Sequence, residues 1–359
     1  MKKYALIGCG RISPNHIMAA LNSNLEIVAI CDIIEARMDE TIRKFGLPAT
    51  VKKYMSYQNM IENENLDLVA IATESGKHGD IALNCLDKGI NLIIEKPIAL
   101  SLEEASKIIE VSTRKGLVVS ACHQNRFNKA ILKLKDAVTK NRFGKLFYST
   151  AHIRWNRNKD YFDQAPWRGT WEQDGGALMN QCIHNIDLLR WIMGEEIAEV
   201  FGVTKNQNHP YIEAEDLGTA IVKFTNGGLG IIEGTTNIYP NNLEETLFIF
   251  GEKGTVKIGG KSVNKIEEWI FSDDVDNSDE VKKEFSELPP NIYGFGHTPL
   301  YKDVIDAIVN DRSPFVTAED GKNALELVLA IYLSSKTGQP VKLPLKSIKT
   351  GDFQGFFNN

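Results

Sequence analysis

The strongest constraint on this chain is a rhythm in residues 1–122, where short apolar runs alternate with helical patterns. Tyr4 to Ile7, Ile27 to Cys31, Leu66 to Ala72, Leu92 to Ile94 and Leu117 to Ala121 are apolar without polar alternation. Runs of that kind suit parallel strands covered on both faces. The clearest helix starts at Ser101. Glu104 completes a capping box, Leu102, Ala105, Ile108 and Ile109 form an apolar stripe, and Gly116 is the stop. Ser13 reads as the cap of an earlier helix, with Pro14 at its first position. The alternation argues for a doubly wound parallel sheet.

The pattern changes after about residue 123. A helix is predicted over 177–193, and strands over 218–224, 228–235, 246–250 and 255–258. Turn signals such as Asn226-Gly227-Gly228 and Glu252-Lys253-Gly254 separate the strands. Helices return over 300–309 and 319–337, and the acidic stretch Ser272 to Glu280 reads as an exposed loop. This half reads as an α+β domain on a large, mainly antiparallel sheet. A length of 359 residues suits two domains. The expected division is 1–123 for a dinucleotide-binding domain and 124–359 for substrate binding and oligomerisation.

Composition limits what such a chain does. Hydrophobic residues at 43% and charged residues at 25% suit a chain able to bury a core. A formal charge of -6 disfavours a broad nucleic-acid surface. No apolar run approaches the roughly 18–20 residues that cross a bilayer. The apolar stretch after Met1-Lys2-Lys3 is too short for a secretory leader. Cys9, Cys31, Cys85, Cys122 and Cys182 are scattered without metal or disulfide spacing. The expectation is a soluble cytoplasmic protein without membrane or nucleic-acid partners.

Gly8-Cys9-Gly10-Arg11-Ile12-Ser13 follows the first strand and opens a helix. Gly8 permits a tight turn, and Gly10 lets backbone approach a pyrophosphate at the positive helix end. Asp32 ends the second strand, where a carboxylate accepts from a ribose hydroxyl and repels a 2′-phosphate. Ile33 and Ile34 add no cation, which favours NAD over NADP, while Arg37 keeps NADP open. The plain alternative is a glycine turn without nucleotide.

Glu95-Lys96-Pro97 follows another strand, where a lysine can hydrogen-bond a substrate hydroxyl or stand as a surface charge. In the predicted helix after Gly175-Gly176, Asn180 and His184 are four apart and Asp187 follows. His184 could act as general base oriented by Asp187 or Asn180, or serve structure alone. No third ligand accompanies this spacing, so no metal is expected.

These residues together resemble the glucose-fructose oxidoreductase/inositol dehydrogenase/MocA family (Gfo/Idh/MocA). Gly8-Cys9-Gly10, Glu95-Lys96-Pro97 and the Gly-Gly…His helix stand in matching order, and the resemblance spans essentially the whole chain. It implies a Rossmann domain and an α+β domain whose sheet face often mediates homo-oligomers. It implies NAD held by Gly8, Gly10, Arg11, Ile12, Asp32, Thr73, His78, Glu95, Lys96 and Gln124. It implies Lys96 and His184 as catalytic residues. Many members carry Asp where Asn180 stands, so Asn180 joins the catalytic residues by positioning the substrate hydroxyl, and proton transfer shifts onto His184 and Lys96.

Trp155-Asn156-Arg157, Tyr161-Phe162, Ala165 to Gly169, Trp171-Glu172, Met179 to Gln181, Tyr239 to Glu244, Tyr293 to His297 and Gln124 to Arg126 resemble the WlbA-type dehydrogenases more specifically. That likeness implies oxidation of the 3-hydroxyl of UDP-N-acetyl-D-glucosaminuronate to a 3-keto sugar during surface polysaccharide synthesis. Some related enzymes retain NADH and reoxidise it with 2-oxoglutarate. A uronate and a diphosphate call for cations, so Arg157, Arg168, Arg126, Lys77 and His297 are candidates, each equally readable as surface charge or stabilising pair. Trp155, Trp167 and Trp171 could stack a base or pack a core. The alternatives are a dehydrogenase of a free sugar or inositol, and a non-catalytic NAD-sensing regulator.

Overall fold

The computed structural model describes residues 1–194, 196–289 and 292–357. The chain forms two compact units: Met1–His123 with His297–Lys322, and Gln124–Gly296 with Asn323–Asn359.

In the first unit, β1 (Lys3–Ile7), β2 (Glu26–Cys31), β3 (Lys52–Tyr54), β4 (Leu68–Ile71), β5 (Asn91–Ile94) and β6 (Val119–Ala121) form one sheet. Their order is β3-β2-β1-β4-β5-β6 and every pairing is parallel. Successive residues of β1 and β4 are buried, so both faces of the sheet are covered. The order reverses between β1 and β4, the place where open sheets of this type take ligands at their strand carboxyl ends. The helices of this unit are α1 (Ser13–Asn22), α2 (Glu35–Phe45), α3 (Tyr57–Asn63), α4 (His78–Asp87) and α5 (Leu102–Lys115). Ser101 accepts from the Glu104 amide and Gly116 closes α5 in the left-handed region, as the capping pattern predicts.

The second unit opens on α6 (Lys129–Thr139). Its sheet comprises β7 (Leu146–Arg154), β8 (Ile197–Lys205), β9 (Leu217–Phe224), β10 (Leu229–Thr235), β11 (Glu244–Gly251), β12 (Gly254–Gly259), β13 (Lys265–Phe271) and β14 (Val341–Lys342). The order is β13-β12-β11-β7-β10-β9-β8-β14, antiparallel except where β10 meets β7. Burial alternates along β8, β9 and β10, which leaves Phe201, Val203, Ile221, Leu229 and Ile231 exposed on one face. This unit also carries α7 (Lys159–Phe162), α8 (Ile183–Met193) and α9 (Ser278–Glu284).

Four expectations change. Residues 297–322 return to the first unit, because α10 (His297–Asn310) packs on α1 through a stripe of Leu300, Tyr301, Val304 and Ala307; α11 (Ala318–Thr337) follows it. Ser13 does not cap α1: it is the first helical residue, and its hydroxyl donates to the Gly10 carbonyl at 2.7 Å. The helix expected over 177–193 begins with a π turn, Leu178–Cys182, ahead of α8. The acidic stretch is partly ordered, with Asp273 and Asp276 both held by Arg142 and Asp276 also by Lys133. No helix among the described residues is long and apolar enough to cross a membrane. The five cysteines are buried and unbonded to one another.

Candidate active site

In the first unit the site grows from strand ends. After β1 the backbone turns at Gly8, whose φ is +99° and where a Cβ would overlap the Ala72 carbonyl. A Cβ at Gly10 would meet nothing within 4 Å, so open space faces the turn where a diphosphate can approach backbone. Asp32, buried after β2, accepts the Cys9 amide at 2.8 Å through one oxygen and the Ile34 amide at 2.8 Å through the other. Arg37 stands 3.8 Å from Asp32. Arg11 is exposed beside half-buried Ile12. An uncapped helix start, an open glycine and a carboxylate at the second strand end fit an NAD ribose and diphosphate.

Thr73 follows β4, and its carbonyl lies 3.2 Å from His78 Nε2. His78 is wholly buried, with Nδ1 2.7 Å from the Pro97 carbonyl. Burial pushes this imidazole down, against the raising effect of the Pro97 carbonyl, and the neutral ring donates to the nearer acceptor. Both ring nitrogens of His78 thus face backbone carbonyls. Lys96 follows β5 and is half-buried. Glu95 beside it is buried, with Oε1 3.0 Å from His16 Nε2 and 3.8 Å from His297 Nε2. Burial alone would raise the Glu95 carboxyl, but the imidazoles of His16 and His297 outweigh it and hold the group well below the usual carboxylate range. His297, expected against substrate, is likewise buried, and burial pushes its pKa down. Donor atoms of His16, Glu95, Cys122 and His297 all lie within 4.8 Å of one another. No sequence motif signals this cluster, because its members come from four distant segments.

In the second unit the site grows from the π turn. Gly175 has φ +88°, and a Cβ at Gly176 would overlap the Glu215 carboxylate. These demands explain the glycine pair in physical terms. Glu215 is wholly buried and accepts the Leu178 amide at 2.7 Å and the Tyr332 hydroxyl at 2.9 Å. Burial pushes its carboxyl up to about 8. Asn180 and His184 are half-buried, and the Asn180 side-chain amide donates to Asp174. Both oxygens of Asp187 take the Arg126 guanidinium, at 2.6 and 2.7 Å. Arg126 is correspondingly 1% exposed and stacks on Trp191, so it is a structural cation. Gln124 is buried at the start of this unit.

Arg157 and Arg168 converge on one ring. Their guanidiniums lie 5.1 and 4.3 Å from the Tyr161 centroid, and Arg168 also donates to the Tyr161 hydroxyl. Gln181, in the π turn, donates to the same hydroxyl at 3.1 Å. Trp155 flanks Arg157 and Trp167 flanks Arg168, whereas Trp171 is core, packed on Tyr332 and Phe353. Lys77 is exposed in the first unit.

An open glycine turn, a carboxylate at the end of the second strand and a strand-end lysine suit an NAD-dependent oxidoreductase acting on a CH–OH group. The chain belongs to the Gfo/Idh/MocA oxidoreductase family: residues 2–123 match its NAD-binding Rossmann fold and residues 135–343 its C-terminal alpha/beta domain. It is 36% identical to the WlbA dehydrogenase of Chromobacterium violaceum, a structure in complex with NADH and UDP-GlcNAcA, with a TM-score of 0.87 and 96% of each chain covered. The Bordetella pertussis WlbA dehydrogenase, in complex with the same ligands, is also 36% identical, with a TM-score of 0.88 over 96% of this chain and 98% of that one. A myo-inositol 2-dehydrogenase of Thermotoga maritima is 27% identical over 95% of this chain and 98% of its own.

Proposed function

We propose that the chain oxidises the 3-hydroxyl of UDP-N-acetyl-D-glucosaminuronate to the 3-keto sugar, in the synthesis of a surface polysaccharide. The observation that carries an anionic nucleotide sugar is the pair of guanidiniums on Tyr161, since a free polyol has no charge for them to meet. The likeness to two proteins crystallised with UDP-GlcNAcA supports it.

NAD held by Gly8, Gly10 and Asp32 supplies the hydride acceptor. Lys96 hydrogen-bonds the reacting oxygen and stabilises its developing charge. His184 takes the hydroxyl proton, directly or through a water. Asn180, its amide nitrogen held by Asp174, presents its carbonyl oxygen to the sugar. Arg157 and Arg168 bind the carboxylate or diphosphate. The exposed apolar face of β8, β9 and β10 supports a homo-oligomer, for which Ile221→Glu and light scattering are the check.

The test is NADH formation with UDP-N-acetylglucosaminuronate, UDP-N-acetylglucosamine and myo-inositol, with and without 2-oxoglutarate. Turnover should require the uronate. Lys96→Ala and His184→Ala should each lower kcat by about 10²–10⁴-fold while NADH still binds. Turnover of myo-inositol but not the nucleotide sugar would transfer the reading to a free polyol, which the 27% identity to an inositol dehydrogenase favours.

A further inference from the structure

Lys96 lies between two residues that are each held by a buried histidine. On one side, His16 of α1 reaches Glu95 with Nε2 at 3.0 Å, and Glu95 Oε2 accepts the backbone N–H of Lys96 at 3.2 Å. On the other, His78 at the start of α4 reaches the Pro97 carbonyl with Nδ1 at 2.7 Å. His16 and His78 are 0% and 1% exposed, so water does not compete for either contact.

The first arm continues behind His16 as a line of buried polar contacts. A carboxylate only accepts, so His16 Nε2 carries the proton that it shares with Glu95. On its other edge, His16 Nδ1 lies 2.7 Å from the Tyr301 hydroxyl. The Tyr301 hydroxyl in turn shares a hydrogen bond of 2.9 Å with the hydroxyl of Tyr4, on β1. Glu95 is thus fixed by a line of buried groups from α1, α10 and β1, and His297 closes its other side edge-on to His16, with ring centroids 5.4 Å apart. The network explains why a carboxylate can sit sealed here, and why residues 297–310 pack against α1.

We propose that His16 and His78 are positioning residues for Lys96. They hold the backbone from Glu95 to Pro97 and thereby set where the lysine side chain starts relative to the glycine turn. The inference rests on the reading of Lys96 as a group that touches the reacting hydroxyl. A misplacement of about 1 Å at such a group costs on the order of 100-fold in rate.

Asparagine and glutamine separate the two ring nitrogens. Gln reproduces the reach of Nε2 and Asn that of Nδ1, so His16→Gln keeps the Glu95 donor while His16→Asn loses it. At residue 78 the roles are reversed. His16→Asn and His78→Gln should lower kcat by roughly 10–100-fold with the NADH Kd within about threefold of wild type. His16→Gln and His78→Asn should restore at least about a third of the lost rate. In a Glu95→Gln background, His16→Asn should add no further loss, because His16 acts through Glu95. Equal kcat in the members of each pair, or rates that fall only with the folded fraction in thermal melts, would overturn the proposal. So would one equivalent of tightly held zinc in the purified protein, since His16, Glu95, Cys122 and His297 would then be its ligands. Full activity of Lys96→Ala overturns the reading of Lys96 itself. Loss in Lys96→Ala with no loss in His16→Asn or His78→Gln overturns this inference alone.

Discussion

The two units fix their site residues by different means. In the first, Asp32 is held by the amides of Cys9 and Ile34 and Gly8 turns where only glycine fits, with Glu95 the exception, held by the distant ring of His16 as well as by the amide of its own neighbour. In the second, Asn180 rests on the Asp174 carboxylate, the π turn rests on buried Glu215, and α8 is tied to residues 124–127 by Arg126 and Asp187. Backbone-held sites depend on short local patterns. Sites held by distant side chains depend on pairs that the chain brings together only on folding.

The largest effect is expected where the second strategy is most exposed to loss of a partner. Asp187→Ala strands a buried guanidinium, which costs about 3–5 kcal/mol. Urea unfolding measures it, and a loss below about 1 kcal/mol would mean that the ion pair is not what ties α8 to residues 124–127.

Glu215 should give a pH-dependent effect of nearly that size. Its folded pKa is raised to about 8, above its unfolded value, so the folded state keeps the proton longer. Stability is then greatest below the unfolded pKa and falls as pH rises towards 8. Glu215→Gln has no proton to lose and should flatten the fall between pH 5 and 8 by on the order of 3 kcal/mol. Glu245, also raised to about 8 by burial, keeps a residual slope in the variant. Parallel melting curves against pH would show that Glu215 is not buried in the protonated form.

The backbone strategy is broken by Gly8→Ala. The added methyl overlaps the Ala72 carbonyl at a φ of +99°. NADH affinity should fall on the order of 100-fold, about 2.7 kcal/mol, by fluorescence titration. Unchanged affinity would mean that the turn does not contact the cofactor.

This contrast also decides what was legible. The parallel sheet was readable because strands covered on both faces are uninterrupted apolar runs. Among the strands missed, β3 is Lys-Lys-Tyr, and β8 alternates buried and exposed residues along a half-solvated face. Gly8, Asp32 and Lys96 stood out because each ends a readable strand. His16, Cys122 and His297 did not, since helix register and the return of α10 bring them to Glu95. For Arg126 a substrate cation and a stabilising pair stay equally open in the sequence, because a sequence shows charge but not burial. The π turn was invisible because apolar periodicity does not tell a π turn from the α-helix that follows it.

The smallest effect probes residue 180, whose side chain rests on Asp174. Asn180→Asp places a second carboxylate against Asp174, which already accepts from Asn180 and from the Gly169 amide. Two carboxylates so close do not both ionise freely, so one pKa of the pair rises above its unfolded value. The penalty is therefore absent near pH 4 and grows as pH rises, reaching about 1 kcal/mol at pH 8 in this half-buried setting. The difference in melting temperature between Asn180→Asp and wild type should widen with pH. The activity of the variant should fall at high pH and recover as the pair takes up a proton. If Asp174→Asn in the same chain fails to remove both effects, the second unit holds residue 180 by something other than that side-chain contact, and the contrast between the units narrows accordingly.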